Sequence, residues 1–291
     1  MNKRLWADLS LIGVAAVWGL TFVVVKNALG DIAPFTFNAI RFAIAFLFML
    51  PFALSFKAFF KPSVINAGFL LGLFLFGGYS FQTVGLLYTS ATNAGFITGM
   101  SVVLVPLLTA VHTRSWPSLN CVAGVGCAAL GLALLTLENS IRLNWGDFLV
   151  FLCALSFAGH IFFVGRFTKV FSTTLLVTIQ IGAVSLLSGA AALVLETQRL
   201  VITGQVGLAL LITAVPATAL AFFIQNWAQK TASPTRTAII FALEPIFAAL
   251  AAFWLLGELL SVRHYFGALL ILCGMLLVEA KGFKTSKSQG I

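Results

Sequence analysis

The stretch IIFALEPIFAALAAFWLL, Ile239 to Leu256, is long and apolar enough to cross a bilayer, yet it contains Glu244 followed by Pro245. About 20 mostly apolar residues make a membrane-crossing helix. A carboxylate inside one is costly unless something uses or satisfies it. Pro245 lacks a backbone donor and leaves the carbonyl of Phe241 without its helical partner, so a break or kink is predicted beside the glutamate. The segment therefore reads as a span built around a polar interruption.

The rest of the chain is of the same kind. Of its 291 residues, 60% are hydrophobic and 9% charged, with mean hydropathy +1.07. Soluble domains are nearer half apolar and a quarter charged. The composition predicts an all-α integral membrane protein. Scanning for apolar runs between polar or Gly/Pro breaks predicts ten spans, near 7–26, 34–54, 64–87, 91–111, 118–137, 146–165, 173–195, 206–229, 235–256 and 263–280. The basic N-terminus resembles a signal peptide, but its apolar run of about 19 residues suits a retained first span.

The net charge of +9 is unevenly distributed. With the N-terminus inside, Lys3, Arg4, Lys57, Lys61, Arg114, Arg166, Lys169, Lys230, Arg236, Lys281, Lys284 and Lys287 fall on the cytoplasmic side. Only Lys26, Arg142, Arg199 and Arg263 fall outside, and Arg41 lies within a span. This bias predicts both termini in the cytoplasm, in a multi-pass protein of the inner or plasma membrane. It reads as a topology signal, with no nucleic-acid partner. Cys121, Cys127, Cys153 and Cys273 lie in apolar segments without metal-ligand spacing, so neither a metal nor another cofactor is expected.

The halves repeat. ADLSLIGVAAVWGLTFVVVK (7–26) aligns with GDFLVFLCALSFAGHIFFVG (146–165), pairing Asp8 with Asp147, Trp18 with Phe157 and Thr21 with His160. YTSATNAGFITGMSVVLVPLLTA (88–110) resembles KTASPTRTAIIFALEPIFAAL (230–250), with Pro106 opposite Pro245 after a gap. Five spans in each half make the repeats inverted in the membrane, an arrangement found in many secondary transporters. The predicted organisation is one five-helix repeat over 1–139, a second over 140–281, and a basic cytoplasmic tail at 282–291.

WGLTFVVVK (18–26), PFTFNAIRF (34–42), LLYTSATNAGFI (86–97) leading to Pro106, and LEPIFAALAAFWLLGELLS (243–261) followed by Gly267 and Gly274 together resemble the ten-helix EamA-type permeases of the drug/metabolite transporter superfamily. The resemblance covers nearly the whole chain. One departure is HTRSWPSL in the first half where the second has LLGELLSV, so Glu258 has no partner in the first repeat. The resemblance implies an exporter or facilitator of small metabolites with a central cavity. It also implies a shared mechanical or coupling role for Glu244, and a structural role for Arg41, because the family keeps these features irrespective of substrate.

Glu244 stands about ten residues into its span, roughly 15 Å along a helix rising 1.5 Å per residue. It is a candidate proton carrier or cation partner; the alternative is a carboxyl group that ties down the kinked helix. His160 is a candidate because histidine exchanges protons near neutral pH, although a lone buried histidine is also a common packing residue. Arg41 can bind a carboxylate or make a structural contact near the outer end of its span. Trp18, Phe22, Tyr79, Gln82, Phe96, Met100, Phe163 and Gln225 are the expected cavity wall, apolar with a few polar groups. Pro106 and Pro245 are the expected helix breaks. Gly68/Gly72, Gly95/Gly99 and Gly124, Gly126, Gly131 offer small surfaces for close helix packing, and Glu258 an anchor or a partner for Arg263.

These features predict a secondary transporter, most simply an exporter of amino acids or amphiphilic drug-like compounds working by alternating access. The expected partners are a small-molecule substrate, the lipid bilayer and the proton, with the chain as monomer or homodimer. An uncoupled facilitator or channel is the alternative. An organophosphate or nucleotide-sugar exchanger would need Lys or Arg near the midplane of spans three, four, eight or nine, where there is none. An intramembrane enzyme would need a metal cluster or a nucleophile with its base, and HExxH and GxSxG are absent.

Overall fold

The computed structural model describes residues 3–57, 61–136, 144–197, 201–256 and 262–280. Within them every regular element is helical: α1 (Lys3–Ala28), α2 (Pro34–Leu54), α3 (Pro62–Gly85), α4 (Ala91–Gly99), α5 (Ser101–Thr113), α6 (Leu119–Thr136), α7 (Trp145–Phe167), α8 (Thr173–Leu195), α9 (Gly204–Ala214), α10 (Ala221–Ala228), α11 (Pro234–Phe241), α12 (Glu244–Leu256) and α13 (Val262–Ala280). A π-helical turn, Val215–Leu220, joins α9 to α10. Seven helical stretches among the described residues are long and apolar enough to cross a membrane, counting 93–113 and 204–228 as continuous. Leu186, Leu193 and Val111 are each more than three-quarters exposed, an outer surface suited to lipid. Glu258 and the tail 282–291 lie outside the described residues.

Chain chemistry accounts for the main interruptions. Pro245 stands in the first turn of α12, and the break falls at Ala242 and Leu243, as its missing N–H requires. Pro106 behaves differently from the expectation. It is buried inside α5, and the corresponding break lies six residues earlier at Met100, directly after Gly99, a poor helix former. Each broken helix starts alike. The hydroxyl of Ser90 accepts from Asn93 N at 3.0 Å and that of Ser233 from Arg236 N at 3.2 Å, serine caps that satisfy an orphan first-turn donor. The π-helical turn forms at Pro216, where the Thr218 hydroxyl donates to the Thr213 carbonyl five residues back, at 2.7 Å.

Four pairings organise the packing: α6 with α13, α2 with α8, α3 with α7 and α8, and α1 with α10, α11 and α12. In the first, a Cβ built on Gly124 would stand 2.7 Å from the Gly274 carbonyl oxygen, so only glycine permits the approach. Gly68 and Gly72 likewise meet Ile179 and Ala183 of α8, whereas Gly95 and Gly126 have open space beside them. The α2/α8 pair is closed at one end by Glu196, which accepts from Phe35 N (2.6 Å), Thr36 N (2.9 Å) and the Thr36 hydroxyl (2.7 Å). A carboxylate capping a helix N-terminus is favourable both as acceptor and against the helix dipole. Where α1 crosses the break before α12, a Cβ on Gly19 would lie 2.6 Å from the Glu244 carbonyl oxygen. That crossing brings the middle of α1 against the glutamate.

Candidate functional site

α1, α3, α4, α5, α7, α10 and the α11/α12 break surround a cavity to which α2 adds one residue, Arg41. Its volume is about 70 Å³, room for on the order of five waters at roughly 10–15 Å³ each. From α1 come Trp18, Thr21, Phe22 and Val25; from α3 and the residue that caps it, Tyr79, Gln82, Thr83 and Leu86, one helical face by spacing. The stretch 98–101 gives Thr98, Gly99 and Ser101. α7 gives Phe157, His160 and Ile161; α10 gives Phe222 and Gln225; the α11/α12 break gives Phe241 and Glu244.

The π-helical turn anchors two of these side chains. The Trp18 indole donates to the Ala217 carbonyl at 2.8 Å, and Arg41 Nε donates to the Thr218 hydroxyl at 2.8 Å. Arg41 also donates to the Tyr79 hydroxyl at 3.3 Å, and its guanidinium carbon lies 4.6 Å from the Tyr79 ring centroid. Arg41 is 3% exposed. A buried cation needs compensation, and here hydroxyls and π faces supply it. Among the described residues it contacts no carboxylate.

Glu244 is the other charged residue in the wall. It is partly exposed, and among the described residues its carboxylate accepts no hydrogen bond and forms no ion pair. Trp18 connects its neighbours, with ring centroids 4.9 Å from Phe241 and 5.4 Å from Phe222. The cavity therefore offers one basic and one acidic side chain, not paired with each other, in a wall that is otherwise largely aromatic.

His160 lines the cavity but is 1% exposed and is bonded through Nε2 to Gln180 Oε1 at 2.7 Å. The Gln180 amide nitrogen has no hydrogen-bond partner among the described residues. Gln225 donates to Gln229 Oε1 at 3.2 Å, Gln229 donates to the Ile161 carbonyl at 2.9 Å, and the buried Gln225 oxygen is left without a partner among the described residues. Gln82 donates to the Thr98 hydroxyl at 3.3 Å. No three His, Cys, Asp or Glu side chains converge among the described residues.

Of the residues singled out from the sequence, Trp18, Phe22, Arg41, Tyr79, Gln82, His160, Gln225 and Glu244 meet at the cavity. Phe96, Met100 and Phe163 do not. Phe96 packs on two core clusters, Met100 occupies the α4/α5 junction, and Phe163 stacks on Phe74 with centroids 5.3 Å apart. Phenylalanines are so frequent that sequence spacing cannot tell a wall from a core. Thr21, Thr98, Ser101, Phe157, Phe222 and Phe241 were not expected. A signal existed: Tyr79 and Gln82 recur as Phe222 and Gln225 at the same spacing, and Phe157 is the aligned partner of Trp18. The serine caps also correct the repeat register. Counting from Ser90 and from Ser233, Ser101 stands where Glu244 does and Thr98 where Phe241 does, so Pro106 is not the counterpart of Pro245.

A model described as the EamA-like transporter family matches residues 5–137 and again 144–280. An uncharacterized transporter of Archaeoglobus fulgidus is 42% identical over 279 residues, covering 96% of this chain and 87% of its own length. The uncharacterized transporter YyaM of Bacillus subtilis is 27% identical, covering 94% and 93%. A solved crystal structure with 18% identity has a TM-score of 0.81, covering 97% of this chain and 99% of the other. At that identity the likeness shows the fold alone.

Proposed function

We propose a transport function on the premise that this chain belongs to the EamA-like transporter family. It is a multi-pass membrane protein, and its relatives are named transporters. Beyond that, our reading is a secondary transporter that exports a small zwitterion of amino-acid type across the inner or plasma membrane by alternating access. The observation carrying it is the wall with Arg41 and Glu244 in one cavity and no ion pair between them. An α-carboxylate complements the Arg41–Tyr79 end, an ammonium complements Glu244 and the Gln225 oxygen, and the aromatic faces accommodate an apolar side chain.

The architecture in this reading is ten spans in two inverted five-helix repeats, 1–139 and 140–281, with both termini cytoplasmic. Two features support it: the family model matches twice, and the packing pairs exchange when the halves are exchanged, α3 with α7 becoming α9 and α10 with α1. Exposed Gln205 then faces outward and exposed Lys61 inward. In intact cells an impermeant maleimide should modify Gln205→Cys and spare Lys61→Cys; the reverse pattern overturns the orientation.

The deciding experiment is counterflow of a metabolite panel by purified protein in liposomes, with and without a pH gradient. Uptake of zwitterions with discrimination against organic cations and phosphate esters is expected. Preference for organic cations would favour the amphiphile reading, for which the aromatic wall and Glu244 suffice without Arg41.

A further inference from the structure

We propose that two polar bridges, Asp8–Arg236 at one mouth of the cavity and Lys26–Thr89–Asp147 at the other, are the locks that open in turn during transport. This rests on the alternating-access reading above and concerns groups outside the substrate site. Each bridge pins the beginning of a broken helix between the ends of α1 and α7.

On the cytoplasmic side, Arg236, third residue of α11, grips the Asp8 carboxylate of α1 with a fork: Nε donates to Oδ1 at 2.7 Å and Nη2 pairs with Oδ2. From α7, Gly165 closes against Pro234, where an added Cβ would lie 2.7 Å from the proline ring. On the outer side, Asp147 of α7 accepts from the Thr89 hydroxyl at 2.5 Å, just before α4, and Lys26 of α1 donates to the Thr89 carbonyl at 2.7 Å. Asp8 and Asp147 are aligned partners in the repeat, so one device has been built twice with α1 and α7 exchanging roles.

The copies differ in strength. The cytoplasmic bridge is a largely buried charge pair with bidentate geometry, the arrangement that makes charge-assisted bonds strong. The outer one joins an aspartate to a neutral hydroxyl and a lysine to a carbonyl. The cavity itself extends toward the outer bridge, reaching Val25 beside Lys26, and stops on the other side at Gln225 and Ile161, which Gln229 ties together. The tighter lock lies beyond the Gln225–Gln229–Ile161 tie on one side, and the lighter lock lies next to Val25 on the other.

The test uses Ser101→Cys as a cavity reporter in protein whose four native cysteines are replaced, labelled with an impermeant maleimide in right-side-out and everted vesicles. Asp8→Asn with Arg236→Gln should speed labelling from the cytoplasmic face by roughly tenfold, a shift of about 1.4 kcal/mol between states. Thr89→Val with Lys26→Met should speed it from the outer face instead. The exchange Asp8→Arg with Arg236→Asp should return the rate toward the starting value. Should the double variants fold poorly, Arg236→Lys, which keeps charge but loses the fork, is expected to give an intermediate sided increase. Unchanged labelling, or equal acceleration from both faces, overturns the proposal. Labelling needs no substrate, so a sided response without zwitterion counterflow would sink the substrate reading alone.

Discussion

The two walls of the cavity are one framework bearing different chemistry. Trp18, Thr21, Tyr79, Gln82 and Ser101 in the first half stand where Phe157, His160, Phe222, Gln225 and Glu244 stand in the second. Arg41 stands where the second half has Gln180, which holds His160. The glutamines and aromatics are shared, so the repeat supplies a box; Arg41 and Glu244 are not shared, so the two walls of the box differ in their ionisable groups. A symmetric container has no preference for which way a dipolar molecule lies in it. This one does, through a few positions.

The comparison breaks most completely if the halves cannot meet. Gly19→Leu would drive a side chain into the Glu244 carbonyl, and overpacking of that kind costs about 1–3 kcal/mol or more; loss of folded protein in a thermal-shift assay and no transport are expected. Next in size is the charge itself. Glu244→Gln should abolish pH-gradient-driven transport while sparing exchange, and unchanged gradient dependence would remove the proton from the mechanism. Arg41→Gln should instead weaken zwitterion binding under all conditions. The comparison is sharpened by transplantation: Ser101→Glu in the Glu244→Gln background moves the carboxylate to its aligned position, and partial recovery of pH-gradient-driven transport, about a tenth of the original or more, is expected if the box is symmetric.

Smaller effects should follow at a wall residue tied to its neighbour and at a residue outside the cavity. His160→Thr, copying the first half, leaves the Gln180 oxygen without its donor, a cost of about 1–3 kcal/mol in stability, with substrate preference unchanged in counterflow. Phe163→Leu, at a residue stacked outside the cavity, should cost under about 1.5 kcal/mol and leave transport kinetics as they were.

Much of the scaffold was legible because lipid imposes a coarse rule. Apolar runs of fixed length announce an all-helical membrane protein without side-chain detail. The site was legible only where polarity is anomalous, as at Arg41, His160, Gln82, Gln225 and Glu244, since a polar group inside an apolar run must face protein. The aromatic wall was not, because Phe157, Phe222 and Phe163 look alike in sequence and differ only in which helix they oppose. The break before α5 was misread at Pro106 because proline is conspicuous, whereas the interruption at Met100 has only Gly99 to announce it.

The turn at 215–220 has a consequence of its own. A π-turn is what an α-helix does with one surplus residue: it swells locally and keeps the phase of the helix on either side. Deleting one residue there would let α9 run straight into α10 with Phe222 and Gln225 still aimed inward, yet Trp18 and Arg41 would lose the carbonyl and hydroxyl that hold them. The insertion is neutral to the span and indispensable to what the span supports, so it marks a place where the second stretch matched by the family model holds a device for side chains of the first.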